Sequence, residues 1–251
     1  MIQAEAGDKV KSVSKTLDRA FFHHARSFFD VATIRRVRGH FDAVEASHRP
    51  DPDNDRDARA VRLGTGLDSF RFDPFWYDLW RELPPASRDM LGPFTWVIFP
   101  VQIRHITQTH QLVPWHQDIG YQRLLGSRAH LRVITCFVPL EFDPTAASTL
   151  EFAYGHSNTD SLAHTAEGDH GARIAEFVPQ SSSRFSLTMG DALLFGDHAI
   201  HRTVPGPDGR IDRRSFEFRL VHPDDGLDGK DYFDLNRGRF VRLDGSERYH
   251  P

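Results

Sequence analysis

Cysteine is almost missing from this 251-residue chain. Cys136 stands alone, which excludes an intrachain disulfide framework and a Cys-rich zinc site. It lies in an apolar, strand-like run and is expected to pack in a core. Long hydrophobic runs are missing too. The longest, around Phe94 to Ile103, is interrupted by Thr95, Pro100 and Gln102 and falls far short of the roughly 20 residues a membrane span needs. Charge of one sign is not in excess: 31 Lys and Arg against 35 Asp and Glu leave a formal charge of −4, with no basic face to suggest nucleic acid or an anionic membrane. Met1-Ile2-Gln3-Ala4-Glu5 is polar and acidic where a secretory leader is basic and then apolar, so a cytoplasmic protein is expected. A small molecule is the expected partner. No internal repeat is visible, and the sequence does not set the oligomeric state.

What is present divides the chain into three stretches of one expected domain, 1–251. Residues 1–92 read as a mainly helical flank. From Ser14 to about Ala46, Leu17, Phe21, Phe22, Phe28, Phe29, Val31, Ile34 and Val37 recur at helix-like intervals among charges. A second helix is expected over Asp73 to Leu83, with Asp73 as N-cap, Pro74 at the first helical position and Trp76, Trp80 and Leu83 along one face. Between them, the acidic run Asp51 to Asp57 reads as a solvated loop, since it lacks the Gly and distal Glu of a calcium-binding hand. Residues 93–223 read as a β-barrel core. Strands are expected at Thr95 to Ile106, Gln117 to Tyr121, Leu131 to Leu140, Thr149 to Phe152, Arg184 to Leu187, Ala192 to Phe195 and Ser215 to Val221. Many short strands around one core imply a sandwich or barrel. Residues 224–251, rich in Asp, Gly and Arg, read as an irregular arm.

Histidine is plentiful, and three His-x-Asp/Glu matches, all with Asp, occur where random placement gives roughly two. His40-Phe41-Asp42 lies in the helical stretch, where positions two apart diverge around the axis. His222-Pro223-Asp224 carries a Pro between its ends and runs into a turn. His116-Gln117-Asp118 alone follows an extended, β-prone segment, and on a strand its His and carboxylate share a face. Trp115 before it reads as core. Two His and one carboxylate on one side of a metal suit divalent iron and leave positions open for reactants. A third ligand is offered by Gly190-Asp191, an apolar strand and then His198 and His201.

This order of residues resembles the phytanoyl-CoA dioxygenase-like family of iron- and 2-oxoglutarate-dependent oxygenases. There a His-x-Asp is followed by a Gly-Asp turn, an apolar strand and a His close to a hydroxyl residue, which His201 and Thr203 match and His198 precedes too early. The resemblance covers about Phe94 to Val221. It implies a double-stranded β-helix, a jelly-roll or cupin-like barrel, flanked by N-terminal α-helices. It implies Fe(II) at His116, Asp118 and His201, with 2-oxoglutarate and O2 as co-substrates. In Asp212-Arg213-Arg214-Ser215 it points to Arg213 as the anchor for the far carboxylate of 2-oxoglutarate. A guanidinium grips a carboxylate with two parallel charge-assisted bonds. Ser215, on the same strand face, offers a further hydrogen bond. By alternation, Arg213, Ser215, Glu217 and Arg219 form a polar face, either solvent or an active-site lining, while Arg214 shares its face with Phe216, Phe218 and Leu220. Arg214 is therefore the second choice of anchor.

Gln102 reads as a contact to 2-oxoglutarate or substrate, or as an ordinary strand amide, and Tyr121 as a wall of the substrate pocket or a packing residue. Gly155-His156-Ser157 departs from the family's Gly-Ser-His turn. The implied reaction is hydroxylation of an unactivated carbon coupled to decarboxylation of 2-oxoglutarate to succinate. Asp118 leaves chloride no vacant carboxylate position, while desaturation and ring formation stay open. Two rival readings use the same residues: a zinc-dependent hydrolase or lyase that activates water, which needs no Arg213, and a non-catalytic barrel that only binds metal or 2-oxoglutarate.

Overall fold

The computed structural model describes residues 20–47, 60–63, 74–106, 112–120, 132–141, 148–154, 161–165, 173–226 and 231–242. The chain opens with β1 (Phe22–Ala25) and α1 (Val31–Ser47), followed by β2 (Ala60–Leu63), α2 (Pro74–Arg81), α3 (Pro85–Leu91) and the long β3 (Trp96–Ile106). Then come β4 (Val133–Pro139), β5 (Thr149–Tyr154), β6 (His164–Thr165), β7 (Arg173–Ile174) and β8 (Ser181–Arg184). The last strands are β9 (Ala192–Gly196), β10 (His201–Val204), β11 (Arg213–Val221), β12 (Asp231–Asp234) and β13 (Arg239–Arg242).

All described strand pairs are antiparallel. The major sheet runs β1-β9-β4-β11-β3-β12-β13, with β2 also on β3; the minor sheet runs β10-β5-β8. Period-two alternation decides what each face of the major sheet meets. Ile134, Cys136 and Val138 of β4, Ala192 and Leu194 of β9, and Phe216, Phe218 and Leu220 of β11 pack with Ile34, Val37 and Phe41 of α1 and with Leu79 and Trp80 of α2. The alternate residues Phe137, Leu193 and Phe195 face the other way and join Leu150 and Phe152 of the minor sheet. Two apolar layers thus enclose the major sheet. The architecture is mainly β, a jelly-roll of two sheets with helices on the outer face.

Three expectations fail, each for a physical reason. Of the strand expected over Gln117 to Tyr121, the described residues 117–120 are not extended: Asp118 to Gly120 form a helical turn, closed by the Gly120 N–H donating to the Gln117 carbonyl at 2.9 Å. The helical stretch begins later than its periodicity suggests, because Phe22–Ala25 pairs with β9 and the Phe22 ring stacks on Phe152 at 4.7 Å. The C-terminal arm is not wholly irregular. Tyr232, Phe233 and Phe240 give β12 and β13 enough buried surface to extend the sheet beside β3. In addition, the strand expected at Arg184 to Leu187 lies earlier, at Ser181–Arg184. The Asp51 to Asp57 run, Tyr121 and Gly155-His156-Ser157 lie outside the described residues.

The Gly190-Asp191 turn ties β9 to the N-terminal segment. Gly190 has φ +98°, and a Cβ there would come within 2.6 Å of the Phe29 carbonyl oxygen. Asp191 accepts hydrogen bonds from the Ser27 and Thr188 backbone N–H groups at 3.0 and 2.9 Å and contacts His24 Nε2 at 2.9 Å. Burial alone would raise its carboxyl, but these bonds outweigh it and hold Asp191 below its ordinary value.

A depressed folded-state carboxyl contributes stability that is complete above the unfolded value near 3.9 and is lost as pH falls through the folded one. Asp191→Asn is therefore expected to lower the thermal midpoint at neutral pH and to flatten its decline in acid, read from melting curves across pH. Phe218→Ala, at a buried ring in edge contact with Trp80 at 4.8 Å, is expected to cost about 3–5 kcal/mol in urea denaturation. A loss below about 1 kcal/mol would contradict this packing.

Candidate metal centre

Two reciprocal backbone hydrogen bonds place the first two candidate ligands together. His116 N–H donates to the His201 carbonyl at 2.9 Å and His201 N–H to the His116 carbonyl at 3.0 Å. Opposed residues of such a pair project to the same face, and the two imidazole centroids lie 4.2 Å apart. The helical turn then swings Asp118 back towards them. Its Oδ1 stands 3.7 Å from His116 Nε2 and 3.9 Å from His201 Nε2. One ligand atom from each of the three residues lies within 4.8 Å of the other two, and all three residues are buried.

Each imidazole is fixed in one tautomer by its own chain segment. His116 Nδ1 is 2.8 Å from the Pro114 carbonyl, and His201 Nδ1 is 2.9 Å from that of Ala199. A carbonyl only accepts, so Nδ1 carries the proton and Nε2 turns its lone pair to the centre. Burial pulls His116 down to about 3, with His201 adding to the pull and Asp118 opposing it. It lowers His201 as well, against Asp118. Both rings are neutral at neutral pH and ready to donate. For Asp118, burial would raise the carboxyl, but Arg219 and the Thr135 hydroxyl, joined by the imidazoles when these are protonated, outweigh it and hold it below its ordinary value. Thr135 Oγ1 donates to Asp118 Oδ2 at 2.8 Å and Arg219 Nη2 lies 3.6 Å from the same oxygen, so Oδ1 is left for a metal. Two neutral nitrogens and one anionic oxygen, all presented inward, fit Fe(II).

The rest of the ligand loop is held from behind. Gln117 turns away from the centre, donating from Nε2 to the His198 carbonyl and accepting at Oε1 from the Leu162 N–H, both at 2.8 Å. The Gln117 N–H donates to His164 Nε2 at 3.1 Å. The His164 ring fills the space where a Cβ on Gly120 would stand, 2.4 Å away. Trp115 packs with Ala153, Ile174 and Ile200, and the Arg202 guanidinium lies 4.6 Å over its ring.

Arg213 lies on the inner face of β11, 2% exposed, with its guanidinium 4.9 Å from the Phe137 ring centroid. Among the described residues its Nε and Nη1 have no hydrogen-bond partner, a costly state for a buried cation. Burial lowers its pKa to about 10, with Glu217 opposing, so the group stays charged. Ser215 and Glu217 are buried on the same face, and the Ser215 hydroxyl donates to Glu217 Oε1 at 3.1 Å. Arg214 faces the other layer, with its guanidinium over Phe41 and its backbone N–H donating to Glu141 Oε1 at 2.7 Å. Gln102 occupies the β3 position paired with Glu217.

No model of a known protein family matches the chain, and no curated protein matches it in sequence. Solved structures do match. EvdO2 from Micromonospora carbonacea var. aurantiaca superposes with a TM-score of 0.59 at 16% identity, over 86% of this chain and 94% of that one, and has also been solved complexed with 2-oxoglutarate. The epimerase SnoN, in complex with Fe3+, alpha-ketoglutarate and nogalamycin RO, gives 0.55 at 14% identity, over 92% and 90%. SnoK, a non-haem alpha-ketoglutarate-dependent carbocyclase from nogalamycin biosynthesis, gives 0.51 at 12%, over 92% and 89%. The fold is that of the non-haem iron, 2-oxoglutarate-dependent enzymes.

Of the site residues read from the sequence, the fold gathers His116, Asp118 and His201, and it places Arg213 and Ser215 on the inner face of β11. His198 is buried nearby but is not part of the ligand cluster found among the described residues. His40 instead stacks on Phe75 at 4.3 Å, and His222 caps a short 3-10 turn at Pro223–Asp225. The sequence reading missed Thr135, and it placed Glu217 and Arg219 on a polar face, either solvent or active-site lining, without giving either a role beside Asp118 or Arg213. Their only sequence signal is polarity at positions of apolar strands.

Removing the Thr135 hydroxyl tests the support of the carboxylate. Thr135→Val is expected to weaken Mn(II) binding by about 10–100-fold with little change in fold, as measured by calorimetric titration. Unchanged affinity would show that Asp118 needs no such support.

Proposed function

We propose that this chain is a single-domain Fe(II)- and 2-oxoglutarate-dependent oxygenase of the phytanoyl-CoA dioxygenase-like kind. Its proposed reaction is hydroxylation of an unactivated carbon in a small-molecule metabolite or natural-product intermediate. The observation that carries this reading is Arg213. A buried guanidinium with unpartnered Nε and Nη1, in the same interior as a two-His, one-Asp cluster, calls for an anionic ligand. A water-activating zinc site has no use for it.

In this reading His116 Nε2, Asp118 Oδ1 and His201 Nε2 hold the metal. Arg213 takes the far carboxylate of 2-oxoglutarate, with Ser215 and Gln102 as further polar contacts. Iron with 2-oxoglutarate and O2 supplies the oxidation, in which one oxygen atom ends in the product hydroxyl and the other in succinate as CO2 leaves. The chain contributes position and dryness: neutral imidazoles, an ionised Asp118 locked by Thr135, and aromatic walls at Phe137, Phe152 and Phe195. Tyr121, next to the ligand turn, is proposed as a wall of the substrate pocket.

Enzymes of this fold, SnoN in complex with nogalamycin RO and SnoK from nogalamycin biosynthesis, support a natural-product substrate. Epimerisation and ring formation are outcomes named for those neighbours. Hydroxylation is preferred here because it asks of the chain only a positioned target carbon.

Purified protein supplied with Fe(II), O2 and 2-oxoglutarate is expected to form succinate slowly even without substrate. His201→Ala should abolish this, and Arg213→Met should raise the half-saturating 2-oxoglutarate concentration by about tenfold or more, the scale of a lost charge-assisted bond. Equal half-saturation in Arg213→Met would remove Arg213 as the anchor.

A further inference from the structure

The inner face of β11 carries a carboxylate of its own beside the proposed anchor. Glu217 Oε1 lies 4.0 Å from Arg213 Nη2, and Glu217 Oε2 lies 3.3 Å from Arg104 Nε on β3. The strand register accounts for the grouping. Arg104 pairs with Ser215, so both stand on the face that bears Glu217. A guanidinium grips a carboxylate through Nε with Nη2 or through Nη1 with Nη2, and Nη2 is common to both forks. Each fork uses a different N–H of Nη2, so Glu217 stands beside the nitrogen the two forks share and is placed to contend for one of them. It is near enough to compete and, at 4.0 Å, does not hydrogen bond.

We propose that Arg104 and Glu217 form a positioning pair that sets the affinity of the site for 2-oxoglutarate. Arg104 draws the Glu217 carboxylate aside, and without that pull Glu217 becomes a tethered rival for Arg213. Charge balance gives the reason. Arg104, Arg213 and Glu217 together leave one positive charge, which the far carboxylate of the co-substrate neutralises. With Arg104 removed, Arg213 and Glu217 already balance, and an arriving carboxylate becomes a surplus negative charge in a buried place. The Ser215 hydroxyl donating to Oε1 holds the Glu217 head group between the two cations rather than flat against Arg213. The inference rests on the assignment of Arg213 as the 2-oxoglutarate anchor.

The test is equilibrium dialysis of labelled 2-oxoglutarate against the Mn(II)-loaded full chain, without turnover. Arg104→Met is expected to weaken binding by about tenfold, and Glu217→Gln in the same chain to restore it to within about threefold of the starting protein. Glu217→Gln alone should bind at least as tightly as the unaltered protein, a result that does not depend on the Arg104 variant folding. Arg104→Lys should keep most of the affinity. Unchanged binding in Arg104→Met, a loss that Glu217→Gln fails to relieve, or weaker binding in Glu217→Gln alone would each overturn the pair. If the unaltered protein fails to bind 2-oxoglutarate, the reading of the whole site falls with it; if it binds and the variant series is flat, only the pair does.

Discussion

Two hydrogen bonds between His116 and His201 are the constraint on which the rest of this site depends. They form a mutually bonded antiparallel pair, which sets the two backbones about 5.5 Å apart and sends both side chains to one face. Once that pair exists, the imidazoles converge without help from any distant element. Each Nδ1 is bound to a carbonyl two residues back in its own segment, so tautomer and ring orientation follow from the same local backbone. Asp118 needs a different route. It enters through a helical turn anchored by the Ile119 N–H donating to the Asp197 carbonyl at 2.9 Å, next to the strand that delivers His201.

β11 connects this centre to the stability of the molecule. Its outer face, Phe216, Phe218 and Leu220, is packed under α1 and α2, and that packing leaves the inner face no freedom to turn. The polar residues of the inner face are thereby forced into the interior. A buried guanidinium with open donors costs the empty protein free energy, and the same donors give that energy back to a ligand carboxylate. In the proposed reading, stability spent at Arg213 becomes affinity for the co-substrate. Arg219 does parallel work at the other end of the face, drawing Asp118 Oδ2 outward so that Oδ1 looks into the centre.

Much of this was legible in the sequence, and the failures have physical causes. A near-continuous apolar run from Val133 to Leu140 and polar–apolar alternation from Arg213 to Val221 marked the two central strands. The fold does bring the chosen His-x-Asp triplet together with His201, but not as part of a strand. It looked like a strand because the residues around it are β-prone, whereas the closing turn depends on Asp197 and His164, which are distant in sequence. Phe21, Phe22, Phe28 and Phe29 suited a helix by spacing, yet cross-strand pairing with β9 and stacking on Phe152 overrode that local preference for Phe22. The tie between Arg104 and Glu217 was invisible, because it exists only once the register of β3 against β11 is known. That register shifts: β3 passes from Gln102 to Ile98 while β11 passes only from Glu217 to Arg219, with Pro100, which has no N–H to pair, inside the irregular step.

The most direct measurement is anaerobic addition of Fe(II) and then 2-oxoglutarate to metal-free protein, followed by visible absorption. The account predicts a weak charge-transfer band that requires both additions, because only a bidentate 2-oxo acid at an iron with open positions produces it. Absence of the band at saturating concentrations of both, in protein that instead holds zinc tightly, would contradict the iron site and return these three ligands to water activation.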